Sequence, residues 1–423
     1  MIPDWLIDIT GIPAIVSTMA FDHREPYVVL SHDVKNPETD TLQSLIDFKK
    51  LPQPVPWKAL PRVFQGAIQA TLTIGIKYLW IAELCTGPLD LQDDIFMGRP
   101  EARYEAHKHV FLTLSALDDI IMDLKHEETR ALLATVGNLC LRKAPRGFKK
   151  EIRASAVGMS AQCLQERLAA TRTIHFGRDE LYWECNALFA REGSNQEHTI
   201  TSEDMCTVEE KFKATVIFDQ DGDPIPNALK KWYQFVQRYS TLETKLDECS
   251  ENPLLNIMGV IYSFNHVLGD IIVGHCEKDL HYGLLWYQNP TEDCKSYSKM
   301  PSWTWASRRG PISMLPSAEF MPYTRPDAIQ AKAVDFFSVP GSLENVCSIL
   351  LDAKLVLEGH SLHVRCDTIF SACRGDVRKS GWDHSVPVQI FENGGELIGT
   401  GYLDSVVEAS PFSQAESVSQ SAG

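Results

Sequence analysis

The chain has 423 residues, 44% of them hydrophobic, enough to bury the cores of two or three domains. A net charge of −16 argues against nonspecific binding to nucleic acid or to an anionic membrane surface. Eleven cysteines at irregular intervals, without a CxxC pair, exclude a disulfide framework and lack zinc spacing, so reduced thiols in a cytoplasmic setting and no metal site are expected.

Asp4 and Asp8 near the start, with no basic segment before them, do not read as a secretory leader, and none is expected. No apolar run approaches the ~20 residues of a membrane span. Residues 1–30 read as strands, ending in the apolar run Tyr27-Val28-Val29-Leu30, which Ser31-His32 follows directly. Leu60 to Ile68 reads as a helix with Pro61 in its first turn. Gly75 to Ile81 is a buried strand, after which come Glu83 and Cys85, then the turn Gly87-Pro88. Helix alternating with apolar strand predicts an α/β core with a mainly parallel sheet in which these two strands are neighbours. Loops after such strands meet at one edge, where sites form. Ser31, His32, Glu83 and Cys85 therefore make a candidate catalytic set for nucleophilic or acid–base work; a cysteine after a buried strand also fits plain core.

Residues 101–125 read as a helix with Val110, Leu114, Leu117 and Ile121 on one face. His107 and His109 then lie on different faces and make no metal pair. Asp118, Asp119 and Asp123 have the DDxxxD spacing that holds Mg²⁺ against a diphosphate, but the long all-helical pattern and a second metal motif are missing, so a solvated face is the reading. The basic stretch 142–153 is read the same way. Gln162 to Cys185 then gives a helix carrying Leu164 and Leu168 on one face, a strand over Thr171–Phe176, a turn at Gly177-Arg178-Asp179 and a second strand over Glu180–Cys185. Phe176, Tyr182 and Trp183 are its core aromatics.

Residues 191–223 are polar, an exposed excursion. Trp232, Val236 and Tyr239 share a helical face, and Leu254 to Tyr262 suits a short buried helix. Trp303 and Trp305, two apart, share a face if their segment is extended, with Thr304 pointing away. Residues 345–404 are β-rich, with a hairpin signal at Asn393-Gly394-Gly395. The division expected is a core at 1–190, a helical extension at 191–320, a β-rich region at 321–404 and a disordered tail at 405–423.

Several ordered blocks carry a resemblance. They are Tyr27…Leu30-Ser31-His32, Leu60-Pro61…Phe64…Ala67-Ile68, Trp80-Ile81, Leu164-Gln165-Glu166-Arg167, Arg172-Thr173-Ile174-His175-Phe176, Leu181-Tyr182-Trp183-Glu184-Cys185, Gly283-Leu284-Leu285-Trp286 and Pro301-Ser302-Trp303-Thr304-Trp305-Ala306-Ser307. Together, over about residues 27–310, the chain resembles the fungal heterokaryon-incompatibility (HET) domain family. The resemblance implies a TIR-like sheet core, a role in nonself recognition and programmed cell death, a protein partner or self-association, and NAD as a candidate substrate cleaved with the help of Glu166. Pairing of Glu166 with Arg167 or a backbone amide is its structural alternative. Three positions depart from the family. Asp33-Val34-Lys35 stands where the family has C/V-W-G, Ala82 replaces an Asp with the carboxylate moved to Glu83, and Gln162 replaces a Trp. Rewritten loops on a kept scaffold suggest a second reading, an enzyme acting on a small-molecule substrate in fungal secondary metabolism.

Overall fold

The computed structural model describes most of residues 2–33, 46–86, 102–117, 132–142, 148–199, 225–242, 253–288 and 295–314, and the backbone of five strands between 331 and 403. The expected excursion at 191–223 lies largely outside these residues. So do the aspartates at 118–123, the Asn393–Gly395 turn and the tail at 405–423.

The strands of the first part are β1 (Trp5–Asp8), β2 (Ala14–Ser17), β3 (Tyr27–His32), β4 (Gln53–Pro54), β5 (Tyr78–Trp80), β6 (Leu112–Ala116), the separate hairpin β7 (Leu132–Val136) and β8 (Leu139–Arg142), then β9 (Arg172–Phe176), β10 (Leu181–Cys185), β11 (Leu188–Arg191) and β12 (His198–Thr199). Apart from that hairpin they form one ten-stranded sheet in the order β12-β11-β10-β9-β6-β3-β5-β1-β2-β4. β3 and β5 are parallel neighbours, with Val28 opposite Leu79. The sheet as a whole is mixed rather than mainly parallel. Only β9, β6, β3 and β5 run parallel, and hairpins extend both flanks antiparallel. Short connections such as Gly177–Glu180 cannot cross over a sheet, so they return the chain antiparallel.

The expected helix over 101–125 is corrected. A short helix, α3 (Ala102–Lys108), stops before Val110, and Leu112–Ala116 is the central strand β6 with every residue buried. The spacing of Val110, Leu114 and Leu117 imitates a helical face. The alternation Leu112-Thr113-Leu114-Ser115 is what the fold uses, because parallel partners on both sides satisfy that backbone.

Alternation gives the parallel strands two unlike faces. Val28, Leu30, Leu112, Leu114, Ile174 and Phe176 point one way, toward helix α1 (Arg62–Ile74), whose Phe64, Ala67 and Ile68 are buried. That helix starts at Pro61 and ends at Gly75, whose φ of 85° is the left-handed cap glycine adopts without strain. Tyr27, Ser31, Thr113, Ser115, Thr173 and His175 point the other way, toward α3 and toward α6 (Ala161–Ala169). Two short helices, α4 (Phe148–Ala154) and α5 (Ala156–Met159), lead into α6, with α2 (Ala82–Cys85) directly after β5.

A second core lies beyond α6. Leu164 and Leu168 pack with Trp232, Val236 and Tyr239 of α7 (Ile225–Ser240) and with Val260, Ile261 and Phe264 of α8 (Met258–Leu268). The Trp303–Trp305 expectation is corrected. Pro301–Ser307 is a turn leading into a 3₁₀ helix at Trp305–Ser307. Thr304 is fully buried and donates to the Val273 carbonyl at 2.7 Å, while Trp305 Nε1 donates to Gly274 O at 2.7 Å. Those two bonds replace strand pairing. Further along, Ala331–Phe337 pairs with Lys354–Gly359, and Val364–Thr368, Val386–Glu392 and Leu397–Leu403 form an antiparallel three-stranded sheet.

Candidate functional site

The polar face of the sheet is fully covered, so every polar group on it needs a protein partner. α6 supplies two of them, Glu166 for Ser31 of β3 and Arg167 for Glu184 of β10. Ser160 caps its first turn by accepting from Cys163 N–H. From there the run Leu164-Gln165-Glu166-Arg167 sends each side chain to a different element. Leu164 enters the second core. Gln165 Oε1 accepts from the Gly259 N–H at 2.9 Å, one of the donors that the first turn of α8 leaves without a helical partner.

Glu166 faces β3. Its Oε2 accepts from Ser31 Oγ at 2.6 Å, and His107 Nε2 of α3 lies 3.7 Å from the same oxygen. Gln162, one turn earlier, donates to Oε1 at 3.3 Å. Glu166 is 3% exposed and His107 fully buried. His107 is held edge-on to Trp80 and lies 3.4 Å from Thr113 Oγ1. Tyr27 fixes α3 above it by donating to Ala106 O at 2.9 Å; burial pushes its phenol upward, so it stays a neutral donor.

Arg167 leaves α6 toward β10. Its Nε and an Nη donate to the two oxygens of Glu184 at 3.0 and 3.2 Å, a bidentate pair, and His175 Nε2 lies 2.8 Å from Glu184 Oε2. Phe148 packs against His175 and under the guanidinium.

The sequence candidates are divided between the two faces. Ser31 and Glu166 are together. His32 points to the opposite face, edge-on to Phe64, with its Nε2 3.5 Å from Glu83 Oε2 of α2. Cys85 joins neither group. It is fully buried in the apolar core, and burial pushes its thiol up to about 12. That setting fits the alternative reading of a cysteine after a buried strand, plain core. Sequence reasoning missed His107, His175 and Glu184 as members of one buried polar layer. For His175 the signal was present as Ser, Thr or His at every second position of two strands, Thr113 and Ser115 in β6 and Thr173 and His175 in β9.

Chemically, the Glu166 group joins a carboxylate, a hydroxyl and an imidazole within hydrogen-bonding or ion-pair reach, a set suited to holding or moving a proton. Among the described residues no group of three His, Cys, Asp or Glu side chains could hold a metal ion, and no helix is long and apolar enough to cross a membrane. Comparison with protein-family models, with curated proteins and with solved structures gave no match.

Proposed function

We propose that this chain is a divergent HET-type protein with a TIR-like core, acting in nonself recognition and cell death, and that Glu166 is the carboxylate on which its NAD-cleaving activity turns. The observation that carries this reading is the position of Glu166. It lies on a helix against the C-terminal end of a parallel strand, held by Ser31 and next to His107. A carboxylate there would stabilise the positive charge that grows on ribose as nicotinamide leaves. Because Glu166 is 3% exposed, a dinucleotide reaches it only when α6 shifts from β3. The departure at Gln162 falls on this same carboxylate, since the amide now donates to it. The test is expression in a fungal host with growth and cellular NAD followed together. Wild type should arrest growth and deplete NAD, while Glu166→Gln, which keeps the shape and the Ser31 contact, should do neither though still folded. Arrest with NAD unchanged, or depletion by the variant, would refute the assignment.

A second reading has its own observation. His32 and Glu83 form a pair at 3.5 Å on the opposite face, and Glu83 is the carboxylate that stands one position later than in the family. A histidine–carboxylate pair beside rewritten loops supports a scaffold turned to acid–base work on a small molecule. An unaffected host that accumulates an altered metabolite, lost in Glu83→Gln, would favour it.

A further inference from the structure

Two hydroxyls on the polar face of the sheet are exceptions to its pairing. Ser115 of β6 is 2% exposed and Thr173 of β9 is 1% exposed, and neither side-chain oxygen meets a hydrogen-bonding group among the described residues. The same holds for Nε1 of Trp80 in β5, whose ring is fully buried and edge-on to His107. A hydroxyl buried in this way gives up its hydration with no protein bond in return. Alanine at 115 or valine at 173 would fill nearly the same space without that cost.

Their placement ties these groups to Glu166. Ser115 is the register partner of Ser31, the residue that donates to Glu166. Thr173 is the register partner of Thr113, two positions before Ser115. Strand spacing and rise put Ser115 and Thr173 roughly 8 Å apart on one face. Trp80 lies on the other side of β3, level with Val29. The three groups thus flank Ser31 and Glu166. They lie on the face that α6 and α3 cover, so the motion that admits a substrate to Glu166 also uncovers the hydroxyls.

We infer that this face is the floor of the substrate site and that Ser115 and Thr173 are specificity residues, bonding the hydroxyls of a ribose ring. The inference rests on the reading of Glu166 given above and names the part of the substrate that the sheet holds. A hydroxyl both donates and accepts, so another hydroxyl satisfies it in full. The carboxylates of Glu166 and Glu184 stand on the same face, Glu184 opposite Thr173 in the register, which disfavours a phosphate there and favours a neutral sugar. Ribose is also the ring on which Glu166 acts in that reading. Bound ligand supplies bonds that the closed face lacks, so binding favours displacement of α6.

The test uses the full chain carrying Glu166→Gln, so that NAD binds without being cleaved. Calorimetry with NAD, nicotinamide riboside and nicotinamide is run beside urea melts. Ser115→Ala and Thr173→Val should each weaken NAD and the riboside about tenfold and leave any binding of nicotinamide, which has no hydroxyl, unchanged. The urea midpoint should stay or rise in both. Thr173→Ser, which keeps the hydroxyl, should bind as its parent does. A lowered midpoint would mean that the hydroxyls are already bonded in the closed fold, through ordered water, and would overturn the inference. Unchanged affinity in the folded variants, or no saturable binding of NAD and the riboside, would do the same. A wild type that binds NAD through both hydroxyls yet cleaves none defeats the Glu166 assignment alone. Cleavage with a KM indifferent to both substitutions defeats this inference alone.

Discussion

Glu166 and Arg167 are neighbours that leave one helix in different directions, and each meets a strand that would be intolerably polar without it. Arg167 and Glu184 are nearly buried, with side chains 11% and 4% exposed. Removing one partner strands the other charge, so Arg167→Ala should lower stability by about 3–5 kcal/mol, read as a fall in the urea midpoint. A shift under about 1 kcal/mol would show that water already screens the pair. His275 gives a pH dependence. It is fully buried, and burial lowers its pKa to about 3 from 6.5, a backbone contact with Trp303 offsetting part of the effect. The unfolded chain therefore takes up the proton first. This group's contribution is complete above pH ~6.5 and is lost toward pH 3, by up to about 1.4 kcal/mol per unit. Urea midpoints on either side of pH ~6 should show the slope, and His275→Gln should flatten it; an equal slope in the variant would remove His275 as its source.

At the scale of elements, α6 is a distributor, and its neighbours show how closely it is fitted. Gly259, whose N–H bonds Gln165, lies against Tyr104 of α3, and a Cβ there would come within 2.2 Å of Tyr104 Cβ. Gly259→Ala should therefore cost about 1–3 kcal/mol although alanine is the better helix former; a melt unchanged or raised would mean α3 yields freely. How much was legible in the sequence follows from how local each signal was. The hairpin of β9 and β10 could be read because its turn and its alternation are adjacent in the chain. The parallel pairing of β3 and β5 could be read because both runs are apolar. β6 was missed because seven residues can satisfy a period of 3.6 and a period of 2 at once, and only its distant partners decide. The site was half legible. Ser31 and Glu166 were both candidates, but what joins them is a contact between residues 135 positions apart. His107 was set aside as a metal ligand and never weighed as the imidazole beside a carboxylate. Pro301–Ser307 was misread because alternating tryptophans look like a strand, whereas Thr304 forms a buried cap.

For the whole molecule, the sheet core and the helical core share α6. Leu164 and Leu168 belong to the second, while Glu166 and Arg167 are bonded to strands of the first. The two cores should therefore unfold as one unit. Trp80, in the first, and Trp232, in the second, are each completely buried and can report separately through single-tryptophan replacements. Coincident fluorescence transitions in urea are expected, and midpoints clearly apart would mean that α6 does not couple them. Ser31 and His32 stand side by side in the chain, yet the sheet lies between their side chains. One answers to α6, the other to α1 and α2. The backbone of β3 thus acts as an insulator: a change beside His32 and Glu83 leaves the contact of Ser31 with Glu166 untouched, so the two groups can be altered one at a time.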